Sequence, residues 1–301
     1  MENANSIPPL EELETCLINV SEPIAKRTHA AFYLRTLGNA RAVEVICNAV
    51  RNPSDSPLLR HELCYILGQI QDRSALPTLT EILSNTSDDA MVRHEAGEAL
   101  GAIGDEQSIE VLQTYSEDPA VEVSETCKLA LDLINWKKTQ ASTESGANDE
   151  NPFLSVDPAP SDKVEVSIEE LQSKLLDPQL SLFVRYRAMF SLRNRGSEEA
   201  ILALASGLED ASALFRHEVA YVLGQVQHPA SVPALIKSLQ KEGENRMVRH
   251  EAAEALGAIG GPEAEEVLKL YLDDQEECVK ESCEVALDTM EYWAKREEKG
   301  G

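Results

Sequence analysis

The chain has 301 residues, 43% of them hydrophobic and 5% aromatic, which suits a folded protein with an Ala/Leu-rich core. Its formal net charge of −26 argues against a nucleic-acid-binding surface and favours a cationic partner or substrate, although a solvated acidic surface has the same composition. No secretory signal, no membrane-spanning apolar run and no C-x-x-C pair are present, so we expect a cytoplasmic protein with reduced thiols and no membrane partner.

Apolar residues recur at helical spacing and fall into pairs of short helices. The first pair occupies residues 7–39, where Gly38 is placed to end its second helix. Turn residues divide the first four pairs at residues 21–23, 52–53, 85–89 and 118–119. No segment alternates apolar and polar residues between turn signals, so an all-α fold is predicted.

An arginine marks the predicted pairs at a nearly constant period. Arg27, Arg60 and Arg93 are 33 residues apart, and the same marker recurs in the second half at Arg185, Arg216 and Arg249. This period indicates helical-hairpin repeats, and the signature residues of ankyrin and tetratricopeptide repeats are missing. We therefore predict a HEAT-like helical-hairpin solenoid of eight repeats, in two pseudo-symmetric halves of four.

A segment without helical periodicity separates the two halves. It is rich in Ser, Thr, Asn, Asp, Glu and Pro, a composition typical of a flexible acidic linker. The predicted organisation is an N-terminal HEAT-like half at residues 1–138, a linker at 139–165 and a C-terminal HEAT-like half at 166–301.

A His-Glu dipeptide occurs four times. The sequence MVRHEAGEALGAIG at residues 91–104 returns as MVRHEAAEALGAIG at residues 247–260, and each copy follows a weaker relative. The four dipeptides are His61-Glu62, His94-Glu95, His217-Glu218 and His250-Glu251. The first and last repeats of each half lack the motif, so the inner repeats are expected to carry a site.

A glycine follows each of these histidines by seven residues, at Gly68, Gly101, Gly224 and Gly257. The first repeats have Arg35 and Arg193 at the same place. A glycine inside a helix costs about 1 kcal/mol relative to alanine. The position therefore serves either close helix packing or room for a ligand, and the sequence leaves both open.

Equivalent helices of stacked hairpins lie about 8–10 Å apart, so two histidines and one glutamate can converge in each half. Two imidazoles with one carboxylate suit iron(II) that keeps open positions for oxygen. If the halves face each other, the two sets form a dinuclear site. Zinc is less expected because no cysteine keeps this spacing, and magnesium or calcium would need more oxygen ligands. Motifs for nucleophilic hydrolysis or phosphate binding are absent from the sequence.

The four motifs in this repeat arrangement closely resemble the deoxyhypusine hydroxylase family over the whole chain except the linker and tails. The resemblance implies two Fe²⁺ ions per chain, with no catalytic residue beyond the metal site. The implied ligands are His61, His94 and Glu95 for one iron, and His217, His250 and Glu251 for the other. Glu62 and Glu218 are the implied substrate-binding carboxylates.

The activity implied by the resemblance is a monooxygenase reaction that uses O₂, activated as a bridging peroxo species, and an unidentified electron donor. Its substrate is the deoxyhypusine side chain of a eukaryotic translation initiation factor, which becomes hypusine. Alternatives are a non-catalytic HEAT-repeat interaction scaffold, a bilin lyase with similar repeats, and a di-iron oxygenase for another polyamine-like substrate.

Overall fold

The computed structural model describes residues 7–142, 151–162 and 166–300, and the regular structure within these ranges is entirely helical. The all-α prediction is therefore confirmed. The chain divides into two compact units, Met1–Ile134 and Asn135–Gly301. Across the described ranges, no helix is both long and apolar enough to cross a membrane.

The first unit consists of short helices alternating with longer ones, in the order that the turn residues predict. They are α1 (Leu10–Ile18), α2 (Ile24–Leu37), α3 (Ala40–Val50), α4 (Pro57–Ile70), α5 (Leu76–Ser84), α6 (Ala90–Ile103), α7 (Ile109–Tyr115) and α8 (Val121–Ser142). Helix α4 packs between α2 and α6, and these even-numbered helices bury the core of the unit. Helix α8 continues beyond the boundary of the unit.

The second unit repeats this alternation. Its helices are α9 (Ile168–Leu176), α10 (Leu182–Arg195), α11 (Glu198–Ala205), α12 (Ala213–Val226), α13 (Val232–Gln240), α14 (Arg246–Ile259), α15 (Pro262–Leu270) and α16 (Glu277–Gly300). Here α14 packs between α12 and α16. Grouping the helices of both units into eight repeats remains an interpretation of how consecutive helices pair.

The four helices that carry His-Glu all begin in the same way. A polar side chain accepts a hydrogen bond from a backbone N–H of the first turn, which would otherwise have no partner inside the helix. The caps are Ser56 for α4, Asp89 for α6, Ser212 for α12 and Asn245 for α14. Each histidine follows its cap by five residues, so all four histidines project from equivalent points on their helices.

The marker arginines join consecutive hairpins. Arg60 donates from Nε to the carbonyl of Val50, near the end of the first helix of its own hairpin, at 2.8 Å. Its two terminal nitrogens bind Asp88, in the loop of the next hairpin, at 2.7 and 2.6 Å. Both side chains are buried. The arginine thus occupies one end carbonyl of a helix and fixes the loop ahead of the next His-Glu helix.

This arginine clamp recurs through both units. The corresponding ion pairs are Arg27–Asp55, Arg93–Asp118, Arg185–Asp210, Arg216–Glu244 and Arg249–Asp274. In all of them except Arg216, Nε also reaches the carbonyl ten residues earlier. Arg216 instead directs Nε to its carboxylate partner and binds two loop carbonyls. The marker is therefore a structural feature of the repeat.

The four glycines serve close helix packing. A Cβ added to Gly68 would lie 2.9 Å from the Cα of Ala99, and one added to Gly101 would lie 3.0 Å from the Cα of Ala130. Gly224 and Gly257 face Ala255 and Ala286 in the same way. Of the two explanations that the sequence leaves open, the structure favours contact between neighbouring helices over room for a ligand.

Part of the predicted linker packs against α10 within the second unit. Arg193 of α10 is fully buried, and Asp157 binds its two terminal nitrogens at 2.9 and 2.6 Å. The rings of Phe153 and Phe190 each lie 4.7 Å from the guanidinium carbon, and Asn151 accepts a further hydrogen bond. Residues 143–150 and 163–165 of the predicted linker lie outside the described residues. The boundaries at 138 and 165 stay a prediction.

Candidate metal centre

In the first unit, two histidines and one glutamate meet between α4 and α6. The ring centroids of His61 and His94 are 5.3 Å apart, and Nε2 of His61 lies 3.2 Å from Oε2 of Glu95. All three side chains are buried, and His94 is completely inaccessible. We call His61, His94 and Glu95 the N-terminal trio.

The second unit repeats this arrangement between α12 and α14. The ring centroids of His217 and His250 are 5.4 Å apart, and Oε2 of Glu251 lies 3.3 and 4.0 Å from their Nε2 atoms. One potential ligand atom from each of the three residues lies within 4.8 Å of the other two. We call these three residues the C-terminal trio. The six residues that the resemblance implies as ligands thus come together as two trios, while their role as iron ligands stays a prediction.

The first-motif glutamates are also buried. Oε1 of Glu62 lies 3.1 Å from Nδ1 of His61, on the side of the ring away from Glu95. Glu218 holds the equivalent position on α12, where only 2% of the residue is exposed. Both glutamates therefore lie beside the trios. Their role in binding substrate remains a prediction, and Glu62 has a structural contact of its own.

Electrostatics at the N-terminal trio favour charge on His61. Burial alone lowers the pKa of His61, but the carboxylates of Glu95 and Glu62 outweigh burial and hold this pKa well above its usual value. A cation at this position therefore meets a negative environment. A bound metal ion would supply the same positive charge in place of the proton.

Four residues near the trios are absent from the predicted site. Glu98 offers an oxygen within 4.8 Å of ligand atoms of His94 and Glu95, and Thr126 of α8 lies 3.5 Å from Nδ1 of His94. Their counterparts in the second unit are Glu254 and Ser282. The available signal was a glutamate four residues after the second-motif histidine in both halves.

The donor set fits iron. Each trio offers two imidazole nitrogens and one carboxylate, the combination that binds iron(II) and leaves positions for oxygen. Burial, followed by the charge of Glu95, raises the pKa of the nearby Cys64 thiol well above its usual value. Each unit can therefore hold one metal ion with its own residues.

Comparison with known proteins agrees with the fold and identifies the family. A family model described as HEAT repeats matches residues 47–132, 168–244 and 201–288. Deoxyhypusine hydroxylase from Danio rerio is 54% identical over 92% of this chain and 90% of its own length, and the Homo sapiens protein is 52% identical over 92% and 89%. The chain belongs to the deoxyhypusine hydroxylase family. The resemblance seen in the sequence is thereby confirmed.

A solved structure of a family member has the same fold. Human deoxyhypusine hydroxylase, in complex with glycerol, superposes with a TM-score of 0.89 at 51% identity, covering 94% of this chain and 96% of that one. The HEAT-like architecture is confirmed by this match and by the repeat model. So is the prediction of an enzyme of the deoxyhypusine hydroxylase family rather than a non-catalytic scaffold.

Proposed function

We propose that the chain is a di-iron monooxygenase that hydroxylates the deoxyhypusine side chain of a translation initiation factor to give hypusine. The observation that carries this proposal is the buried His-His-Glu trio, which occurs in both units with nearly equal ring separations. Relatives named for the same activity at about half identity support it.

Each trio would hold one iron(II) ion through two imidazole nitrogens and one carboxylate. When bound, the iron would supply the ability to bind and reduce dioxygen, with electrons from a separate donor. The protein contributes the rest. It holds the ligands on rigid, capped helices and buries them, so that bulk water is kept from the reacting groups.

The substrate side chain is a lysine extended by an aminobutyl group, and it carries two amines. In the proposal, Glu62 and Glu218 bind these cations close to the trios. The net charge of −26 would favour the approach of such a substrate. We further place the reaction in the cytoplasm. All six cysteines are thiols, five of them buried, which suits a reducing compartment.

The test combines metal content with product analysis. The protein is loaded with iron(II) under anaerobic conditions and then given dioxygen, a chemical reductant and the deoxyhypusine-containing factor. We expect one iron per trio and a gain of one oxygen atom on the modified residue, detected by mass spectrometry of the peptide. His94→Ala should lose iron from the N-terminal trio and form no product.

The matched control is His228→Ala. This histidine lies outside both trios and caps a turn, where its Nδ1 accepts a hydrogen bond from the backbone of Ala230. Its loss should leave iron content and product unchanged. Iron binding without oxygen transfer would favour a di-iron oxygenase for another polyamine-like substrate. Failure to bind iron would refute the di-iron proposal.

A further inference from the structure

In the second unit, a second carboxylate lies beside the second-motif histidine. Oε1 of Glu254 lies 3.7 Å from Nδ1 of His250, whereas Glu251 approaches the opposite ring nitrogen, Nε2. Ser282, a completely buried residue of α16, donates a hydrogen bond to the same oxygen of Glu254 at 3.2 Å. The two carboxylates therefore face the two different nitrogens of one ring.

The first unit has the same three groups at equivalent positions. Glu98 offers an oxygen within 4.8 Å of ligand atoms of His94 and Glu95. The hydroxyl of Thr126, which is 1% exposed, lies 3.5 Å from Nδ1 of His94. A carboxylate from the same helix and a hydroxyl from the next even-numbered helix thus accompany the second-motif histidine in both units.

The sequence pattern distinguishes Glu98 and Glu254 from ordinary solvated glutamates. Glu98 and Glu254 each follow a second-motif histidine by four residues, which is one helical turn on the same face. The first-motif helices have Tyr65 and Tyr221 at that place. The carboxylate therefore accompanies the histidines of α6 and α14 and not those of α4 and α12.

We propose that Glu98 and Glu254 are positioning residues for the metal. Each accepts the Nδ1 proton of its histidine. In the second unit the hydroxyl of Ser282 holds the carboxylate, whereas in the first unit the hydroxyl of Thr126 faces Nδ1 of His94 itself. The proton then stays on Nδ1, and the lone pair of Nε2 points toward the glutamate of the trio. The distance of 3.7 Å at His250 exceeds a hydrogen bond, so the proposal requires the partly exposed Glu254 to move closer to Nδ1.

The physical consequence is a stronger and better oriented imidazole donor. A carboxylate that accepts the second ring proton fixes the tautomer and raises the basicity of a metal-binding histidine, and its loss typically weakens metal binding about 10- to 100-fold. This inference rests on metal binding by the trios, which is part of the proposed function. Its test therefore uses metal binding and does not depend on turnover.

The test compares Glu254→Gln with Glu254→Met. The two side chains are of similar size, but only glutamine keeps an oxygen that can accept the Nδ1 proton. Cobalt(II) alone is the probe. Its dissociation constant comes from chelator competition, and its visible absorption reports the geometry of the ligands. We expect the methionine variant to bind cobalt in the C-terminal trio about 10- to 100-fold more weakly, with a changed spectrum. The glutamine variant keeps an acceptor for the Nδ1 proton but lacks the negative charge, so its affinity should lie between those of the parent and the methionine variant.

Glu266→Gln, at an exposed position on α15, is the control and should match the parent. Thermal melting of each metal-free variant checks its folding. If Glu254→Met does not fold, Glu98→Gln and Glu98→Met decide the question in the first unit. Equal cobalt affinity and equal spectra of the two variants would overturn the inference. A parent protein that binds no metal would instead refute the proposed function.

Discussion

Gly97 and Gly101 lie one turn apart on α6 but differ in what surrounds them. A Cβ at Gly101 would lie 2.6 Å from the Cβ and 3.0 Å from the Cα of Ala130, and backbone atoms cannot rotate away. We expect Gly101→Ala to lower the free energy of unfolding by about 1–3 kcal/mol, although alanine favours the helix. Urea denaturation of the metal-free protein measures this change.

Gly97→Ala is the matched control. Its nearest neighbours would be Cγ2 of Thr126 at 3.5 Å and Sγ of Cys127 at 3.6 Å, which are ordinary contact distances. The second motif repeat already has alanine there, at Ala253. This variant should be neutral or stabilised by up to about 1 kcal/mol. Equal effects of the two substitutions would contradict the packing explanation.

For single residues, the sequence predicted which side chains share equivalent places in the repeats better than it predicted which side chains touch. The repeated motif predicted that His61 and His94 converge, because helix spacing alone brings equivalent residues together. The choice between packing and ligand room at Gly101 needed the distance to Ala130 on another helix. Thr126 carried no signal, since its approach to His94 depends on where α8 lies against α6.

The arginine clamp joins one hairpin to the next, so its effect belongs to the helices. Burial alone raises the pKa of Asp88, but the hydrogen bonds from Arg60 outweigh burial and hold this pKa below its ordinary value. A native pKa below the unfolded one adds stability at neutral pH. This stability is lost as the pH falls below about 4, the ordinary carboxyl pKa, and then through the lower pKa of Asp88 in the folded protein.

We therefore expect acid to weaken the clamp. Asp88→Asn leaves the buried charge of Arg60 without its carboxylate and should lower the free energy of unfolding by roughly 3 kcal/mol at pH 7. The ordinary pKa of a carboxyl group is about 4. Between about pH 5 and pH 3, the variant should therefore lose less stability than the parent, because it has no carboxylate to protonate at position 88. Urea titrations at several pH values give both quantities.

Glu81→Gln is the control, since Arg51 and Glu81 form a similar ion pair with side chains 38% and 64% exposed. Its removal should change the free energy of unfolding by less than about 1 kcal/mol at either pH. A parallel loss in parent and Asp88→Asn between pH 5 and 3 would mean that other carboxylates control acid unfolding.

The sequence identified the marker arginines as a repeat feature and predicted helix ends such as Gly38, because period and turn residues are local properties. It did not predict the partner carboxylates. Asp88 follows Arg60 by 28 residues and Asp118 follows Arg93 by 25, since each carboxylate lies in the loop of the next hairpin. Only the stacking of hairpins brings these residues together.

The organisation of the whole chain includes a segment whose composition predicts a flexible linker. The polar composition of this segment does not predict that it binds Arg193, a buried residue of α10. Arg193 occupies the place that a glycine has in the His-Glu helices, and Phe153 and Asp157 contact its guanidinium group. The arginine at that place was visible in the sequence, but its burial, which makes a covering carboxylate necessary, was not.

We expect Asp157→Ala to release this segment while leaving the helices folded. As the segment leaves, Arg193 reaches water. The substitution therefore weakens the attachment of the segment to α10 and not the stability of the helices. If about 3 kcal/mol is lost, the detached state becomes on the order of 100-fold more populated. Chymotrypsin should cleave after Phe153 correspondingly faster. Glu169→Ala, which removes an exposed carboxylate of α9, should cleave at the parent rate.

The net charge of −26 left open whether the acidic surface serves a cationic substrate or only hydration. Screening separates the two, because the Debye length falls from about 10 Å at 0.1 M salt to about 3 Å at 1 M. If the charge attracts substrate, kcat/KM for the deoxyhypusine-containing factor should fall several-fold over that range while kcat stays constant. A neutral osmolyte at equal osmolarity is the control. A kcat/KM that does not respond to salt would assign the acidic surface to hydration alone and leave substrate binding to the buried glutamates beside the trios.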